Sequence, residues 1–235
     1  MSRRAWMISG AALVAIIVVV VLIVVSVSGG SDSGNSGGDS ASNGSVAGTT
    51  EVLALTKGIP QKGFTVGKAS APVKVKEFLD PQCPVCKKAS ADAVPALVKG
   101  PVKAGQANLT IEPLTFIGSD SSTAALAIAA AAEQDRGFVY SDIIYANQGA
   151  ENSGWATEDL LTGIASAIPG VNVSTWQTAR TAQSASDAVF AASDAAKAAG
   201  VNATPTFVIT GPGGTKTLTG AIPGSELLAA VKSVS

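Results

Sequence analysis

Val73-Lys74-Val75-Lys76-Glu77-Phe78-Leu79 alternates strictly at its start, lies between Pro72 and Asp80-Pro81, and is followed almost at once by Cys83-Pro84-Val85-Cys86. Period-two alternation bounded by prolines predicts a strand. Proline directly after Cys83 suits the first position of a helix, where a missing N–H costs nothing. The chain must therefore build a strand-to-helix junction at its cysteines, which belongs to a layered α/β domain.

Cys83 and Cys86 are the two cysteines of the 235 residues, and histidine is absent. These counts exclude a Ser-His-Asp triad, a Cys-His dyad and any His-ligated zinc, haem or copper centre. Two thiols also cannot complete a four-thiolate zinc or iron–sulfur site within one chain. A formal charge of −1 argues against a generally basic nucleic-acid binder, so no nucleic acid is expected as partner.

As the residue before Pro84, Cys83 is predicted to be the helix N-cap. Its sulfur would accept from the free N–H groups of the first turn, and the helix dipole favours its thiolate. The Cys83 pKa should therefore fall below the free-thiol value. Cys86, three residues on, shares its helical face and lies within disulfide reach. One sulfur is expected to be exposed and activated and the other sheltered, as in a reversible redox dithiol. Two other uses of the pair stay open: a structural disulfide, which would close too short a loop to remove much chain entropy, or a soft-metal dithiol for Cu(I).

Glu77 falls on the same strand face as Val73, Val75 and Leu79, while Lys74 and Lys76 point the other way. A carboxyl on an apolar face is held protonated by desolvation. Just before the cysteine loop, it can take and return the proton of the second cysteine. The alternative is a strand-end Glu that escapes to solvent.

The remaining text predicts a short strand at Lys62 to Val66, a helix from Pro84 to about Lys99, and a strand at Asn108 to Leu114. A helical block follows over about 119–199, broken at Gly137, Gly149, Gly154 and Pro169-Gly170. Strands at Thr206 to Thr210 and Lys216 to Thr219 and a helix at Ser225 to Val234 end the chain. Residues 57–103 carry nine lysines against Glu77, Asp80 and Asp92, while the helical block is acidic.

Arg3 and Arg4 precede an uncharged stretch whose core, Ala11 to Val27, is almost wholly Ala, Val, Ile and Leu. A bilayer needs about 20 apolar residues as a helix, more than a cleavable signal usually has. Residues 1–28 therefore read as a cytoplasmic stub and a single-pass signal anchor through residues 5–28. The two arginines place the N-terminus inside and the domain outside the cytoplasm. A signal cleaved near Ser26 or Ser28 is the alternative. Residues 29–50, rich in Gly and Ser, predict a flexible tether with a mean reach of about 25 Å. The folded domain is then 51–235.

Glu77-Phe78-Leu79-Asp80-Pro81-Gln82-Cys83-Pro84-Val85-Cys86 resembles the active-site segment of DsbA-like thiol:disulfide oxidoreductases of the thioredoxin superfamily. Gly200-Val201-Asn202-Ala203-Thr204-Pro205-Thr206-Phe207-Val208 looks like the cis-proline loop of that family, and the likeness covers most of Gly63 to Val234. Pro81 and Gln82 replace aromatics often found in the family, and Val85 stands where its best-known oxidants carry histidine. The resemblance implies a thioredoxin fold with an α-helical insertion, here preceded by one transmembrane helix. It implies that Cys83 and Cys86 are catalytic with Glu77, and that Thr204 and Pro205 face the dithiol and hold substrate. No cofactor or metal is expected. Implied partners are exported client proteins with cysteines and a membrane redox partner of the DsbB or vitamin-K-epoxide-reductase type. The function implied is oxidation of client thiols. Alternatives are a disulfide reductase or isomerase of the same fold, or a non-catalytic Cu(I)-binding dithiol chaperone.

Overall fold

The computed structural model describes residues 46–235. The signal anchor at 5–28 and the tether up to residue 45 lie outside the described residues. Among the described residues no helix is long and apolar enough to cross a membrane.

The tether was expected to reach Thr50, but Val46 to Thr50 belong to the folded domain. Val46 packs against the core, and Ala47 exchanges hydrogen bonds with the Asn147 side chain, its N–H donating to Oδ1 at 3.2 Å and its carbonyl accepting from Nδ2 at 3.0 Å. Helix α1 (Thr49–Thr56) follows and buries Val52. Small polar residues conceal this start, because its anchors lie about a hundred residues away.

A six-stranded sheet has the order β1-β2-β4-β3-β5-β6. The strands are β1 (Gln61–Lys62), β2 (Thr65–Val66), β3 (Val73–Leu79), β4 (Ala107–Pro113), β5 (Thr206–Gly211) and β6 (Gly214–Thr219). β3 runs parallel to β4 and antiparallel to β5, so it is central. The single strand expected over Lys62 to Val66 is instead a hairpin, because Gly63 takes φ +56° and turns the chain.

Helices α2 (Pro84–Ala91) and α3 (Ala93–Leu97) continue from β3, followed by a π-helical turn at Val98–Val102. One continuous helix to Lys99 was expected. Pro95 cannot donate to the preceding turn, and the chain breaks at Asp92 (φ −128°, ψ −69°). The helical block comprises α4 (Ser119–Ala132), α5 (Gly137–Asn147), α6 (Glu158–Ala167), α7 (Val173–Arg180) and α8 (Gln183–Ala198), and α9 (Gly224–Val234) follows β6.

Val73, Val75, Leu79, Ile111, Phe207 and Ile209 form one sheet face, packed with buried residues of α2, α3, α5 and α9. On the other face Phe78 and Leu114 meet Ala192 and Ala196 of α8. Inside the helical block, Trp176 is fully buried, donates Nε1–H to the Ala127 carbonyl at 2.9 Å and stacks on Tyr140. Alanine-rich α4 is small enough to be buried among these neighbours. The block leans over the end of β3 that leads into the cysteines.

Candidate active site

β3 ends at Leu79, and the turn Asp80-Pro81-Gln82 carries the chain to Cys83. That turn is fastened to the helical block. Asp80 is fully buried; its Oδ1 accepts from Gln82 N–H at 2.8 Å and Ser121 Oγ–H at 2.6 Å, and its Oδ2 accepts from Ile117 N–H at 3.1 Å. Gln82 donates to Ser121 Oγ and accepts from Asn152 N–H at 2.6 Å. Tyr145 donates its hydroxyl to the Asp80 carbonyl at 3.1 Å, and Gln148 Nε2 donates to the Pro81 and Cys83 carbonyls at 2.8 and 3.1 Å.

Sequence reasoning passed over Asp80, Tyr145 and Gln148. Only Asp80 carries a local signal: an Asp whose side chain caps the N–H two residues on is an Asx turn. Replacing Asp80 by Ala strands three donors, two of them backbone. Unsatisfied buried donors cost about 1–3 kcal/mol each, so a loss of roughly 2–4 kcal/mol is expected after partial relaxation. Thermal unfolding of the variant should show it, and a loss within experimental error would mean that the turn is held by packing alone.

Cys83 is the N-cap of α2, with Pro84 in the first turn and Sγ accepting from Cys86 N–H at 3.3 Å. Both thiols are free. Hydrogen bonding from the Cys86 thiol pulls the Cys83 pKa down to about 6, against an opposing effect of burial; the Thr204 side chain and the N–H groups of Cys86 and Val85 add to the lowering. Cys86 is wholly buried, and burial, followed by its hydrogen bond to Cys83 and the charge there, pushes its pKa far above the free-thiol value. The expected contrast in chemistry is present, but the expected exposure is not: Cys83 is only 6% exposed. The Thr204 loop closes over it, with Sγ–H donating to the Thr204 carbonyl at 3.4 Å. A carbonyl partner suits the thiol and opposes the thiolate, so ionisation exchanges that bond for the donors of α2.

The Thr204–Pro205 peptide is cis. Its position is fixed from behind, where Gly220 N–H donates to the Pro205 carbonyl at 2.8 Å and Thr206 Oγ–H donates to the Ala203 carbonyl at 2.8 Å. The structure thus brings Cys83, Cys86 and the Thr204–Pro205 loop together. Val85, between the cysteines, is half-buried, and Phe116, next to the residue that holds Asp80, is 53% exposed.

Glu77 does not escape to solvent. It is 2% exposed and pairs across the sheet with Ile111 on one side and Phe207 on the other, both buried. Burial raises its pKa to about 8, and the neighbouring Asp142 carboxyl adds to the rise. Such a group carries a proton at neutral pH and gives it up close to neutrality, as a proton donor and acceptor for a buried thiol must. A dithiol with one acidic and one suppressed thiol, beside a protonated carboxyl, can perform thiol–disulfide exchange.

Comparison with known proteins agrees with this chemistry. Residues 60–222 match the family model described as thioredoxin. A probable disulfide bond formation protein D of Bacillus cereus is 33% identical over 150 residues, covering 63% of this chain and 69% of the relative. Disulfide bond formation protein D of Bacillus subtilis is 27% identical over 146 residues, covering 61% and 66%. Among solved structures, oxidised BdbD of Bacillus subtilis has a TM-score of 0.64 at 23% identity, covering 74% of this chain and 95% of that one. Chlamydia trachomatis DsbA has a TM-score of 0.61 at 24% identity, covering 72% and 89%. These structural likenesses bear on the fold, a thioredoxin fold with added helices.

Proposed function

The chain belongs to the thioredoxin family and is a DsbA-like protein thiol-disulfide oxidoreductase, and from that premise we propose that its Cys83–Cys86 pair oxidises client proteins outside the cytoplasm. As an enzyme of this kind it implies clients with cysteines and a redox partner that renews its active form. The observation that carries the reading is the division between the two thiols, with Cys83 drawn to about 6 and Cys86 suppressed by burial.

In the oxidising direction a client thiolate attacks Cys83 Sγ of the Cys83–Cys86 disulfide. Cys86 Sγ leaves with the electron pair and takes a proton from the Glu77 carboxyl. The second client thiolate then attacks the client sulfur of the mixed disulfide and expels Cys83 as thiolate. Two electrons have passed to the enzyme, and the client holds a disulfide. A thiol of pKa about 6 is over 90% ionised at pH 7.2 against about 5% for a free thiol, but its weaker nucleophilicity cancels most of that gain in attack. As a leaving group its low pKa is all advantage. This asymmetry favours release of oxidised client.

The Thr204–Pro205 loop would hold the extended client chain, with Val85 and the exposed Phe116 offering apolar contacts. Residues 5–28 would hold the domain to the membrane, near an integral-membrane partner of the DsbB or vitamin-K-epoxide-reductase type that restores the disulfide. The test uses the oxidised full chain in membrane vesicles with a reduced, unfolded client carrying two cysteines. Client disulfide should form mole for mole as the enzyme is reduced. Protease added to intact spheroplasts should digest the domain while sparing cytoplasmic markers. An unoxidised client would refute the direction, and a protected domain would refute the orientation.

A further inference from the structure

Glu77 shares its surroundings with a second acid that the mechanism above does not use. Its carboxyl lines a small internal cavity of about 10 Å³ together with Ser90, Ser141, Asp142 and Tyr145. That volume is close to the lower limit for one water, which needs two or more polar partners. Ser141 supplies one, for among the described residues its buried Oγ has no hydrogen-bond partner. Asp142 is buried as well and accepts a short hydrogen bond from Ser90 Oγ–H. Ser90, Asp142 and Tyr145 also line a separate open groove of about 650 Å³ bounded by α1, α2, α3 and α5. Ser90, Asp142 and Tyr145 therefore stand between the Glu77 cavity and a groove open to solvent, and neither Thr204 nor Pro205 lines that groove.

We propose that Asp142 is a proton-relay residue linking Glu77 to this groove, so that protons exchanged with Cys86 travel through the back of the domain while a client covers the front. The inference rests on the redox reading of Cys83 and Cys86. It answers a problem that the geometry sets: Cys86 is fully buried, and a client bonded to Cys83 closes the remaining approach. When Cys86 leaves as thiolate, the Glu77 carboxyl gives it a proton. Glu77 is then reprotonated from Asp142 through the Ser141-lined cavity, and Asp142 recovers its proton from the groove. One proton moves inward for each Cys86 thiol formed, and one moves outward when the pair is reoxidised. No electrons pass along this route.

The groups facing Asp142 fit a group that titrates near neutrality. β3 presents Glu77, α2 presents Ser90 and Lys87, and α5 presents Tyr145. Across the groove stand Glu51 of α1 and Lys99 and Lys103 beyond α3. Burial raises the Asp142 pKa to about 6, with the Ser90 hydrogen bond opposing the rise.

The test is the single-turnover rate of Cys86 release in the full chain as a function of pH, with a reduced, unfolded protein carrying two cysteines as client. Glu77→Gln should slow the step by about a hundredfold, the lower end of what a positioned proton transfer contributes, and Asp142→Asn by a smaller factor of about ten, because it acts one step behind the donor. The titration of the Cys83 thiolate should remain near its wild-type midpoint in Asp142→Asn. In Asp142→Ala, where a hole opens to the groove, added formate should restore the rate. A wild-type rate in Asp142→Asn, or a slowed variant that formate does not restore, overturns the relay while leaving the redox reading intact. Should Asp142→Asn fold poorly, Ser90→Ala keeps the carboxyl and removes its hydrogen bond. The pH profile should then move upward, and an unchanged profile counts against the relay. A wild-type rate in Glu77→Gln removes both the relay and the assigned role of Glu77.

Discussion

Reduced protein carrying Cys86→Ala is expected to accumulate mixed disulfides with client disulfides at Cys83, whereas Cys83→Ala should form none and lose exchange altogether. Cys83 keeps its N-cap position without Cys86, and the backbone N–H groups of the first turn still stabilise its thiolate. Its lowering is smaller in this variant, because the Cys86 thiol is the largest single cause of it. Cys83 attack therefore continues, but nothing within the chain can resolve the product. In the opposite variant the remaining thiol is fully buried and held protonated. Its thiolate fraction at neutral pH is negligible, so capture should fall by several orders of magnitude. Non-reducing gels of client and enzyme show the difference directly. Comparable adducts from both variants would mean that the helix terminus does not govern reactivity.

The second large effect is on stability. Glu77→Gln should make the oxidised protein more stable at pH 8, by an amount on the order of 4 kcal/mol, while leaving it little changed at pH 4. The folded state raises the Glu77 pKa from 4.5 to about 8. Between those values the folded protein holds a proton that the unfolded chain has released, so rising pH favours unfolding. The stability associated with neutral Glu77 is complete below the unfolded value and is lost as pH rises towards the folded one. Glutamine resembles the neutral acid at every pH. For a domain of this size the gain corresponds to about 10 °C in Tm at pH 8. The oxidised protein is the right material because neither cysteine titrates in it. In the reduced protein the lowered Cys83 pKa acts in the opposite sense, adding stability that is lost as pH falls through about 6. A Glu77→Gln advantage independent of pH would contradict burial of an ionisable group. The more stable variant should be the poorer enzyme, since it has no proton to give to Cys86.

Local chemistry explains which of these features could be read from the sequence. β3 spans Val73–Leu79 as its alternation requires, and that same alternation puts Glu77 on the buried face. Cys83 caps α2 because Pro84 and the free N–H groups of the first turn are all within four residues of one another. What escaped the reading depends on partners distant in the chain. Asp80 meets Ser121, Gln148 meets Pro81 and Cys83, and Asp142 meets Ser90 and Glu77, all across gaps of more than forty residues. The low exposure of Cys83 arises from the Thr204 carbonyl, 121 residues away. Alternation and capping have no range over such distances. The break at Asp92 is different, for its signal is local: Pro95, three residues on, cannot donate to the preceding turn, and a helix read through to Lys99 passes over it.

The midpoint potential of the Cys83–Cys86 couple, measured in a glutathione buffer, bears most directly on the proposed direction of exchange. An oxidant is strong when its reduced form is stabilised, and a lowered thiolate pKa is the principal means. Thioredoxin, with a pKa of about 7, lies at about −270 mV, and DsbA, at about 3.5, lies at about −120 mV. Cys83 at about 6 falls between them, and Val85 supplies none of the extra charge that a histidine would. The expected potential is therefore about −200 to −240 mV, and Val85→His should raise it by about 30 mV or more. A wild-type value at or below about −270 mV would contradict the oxidising role and assign the same dithiol to reduction.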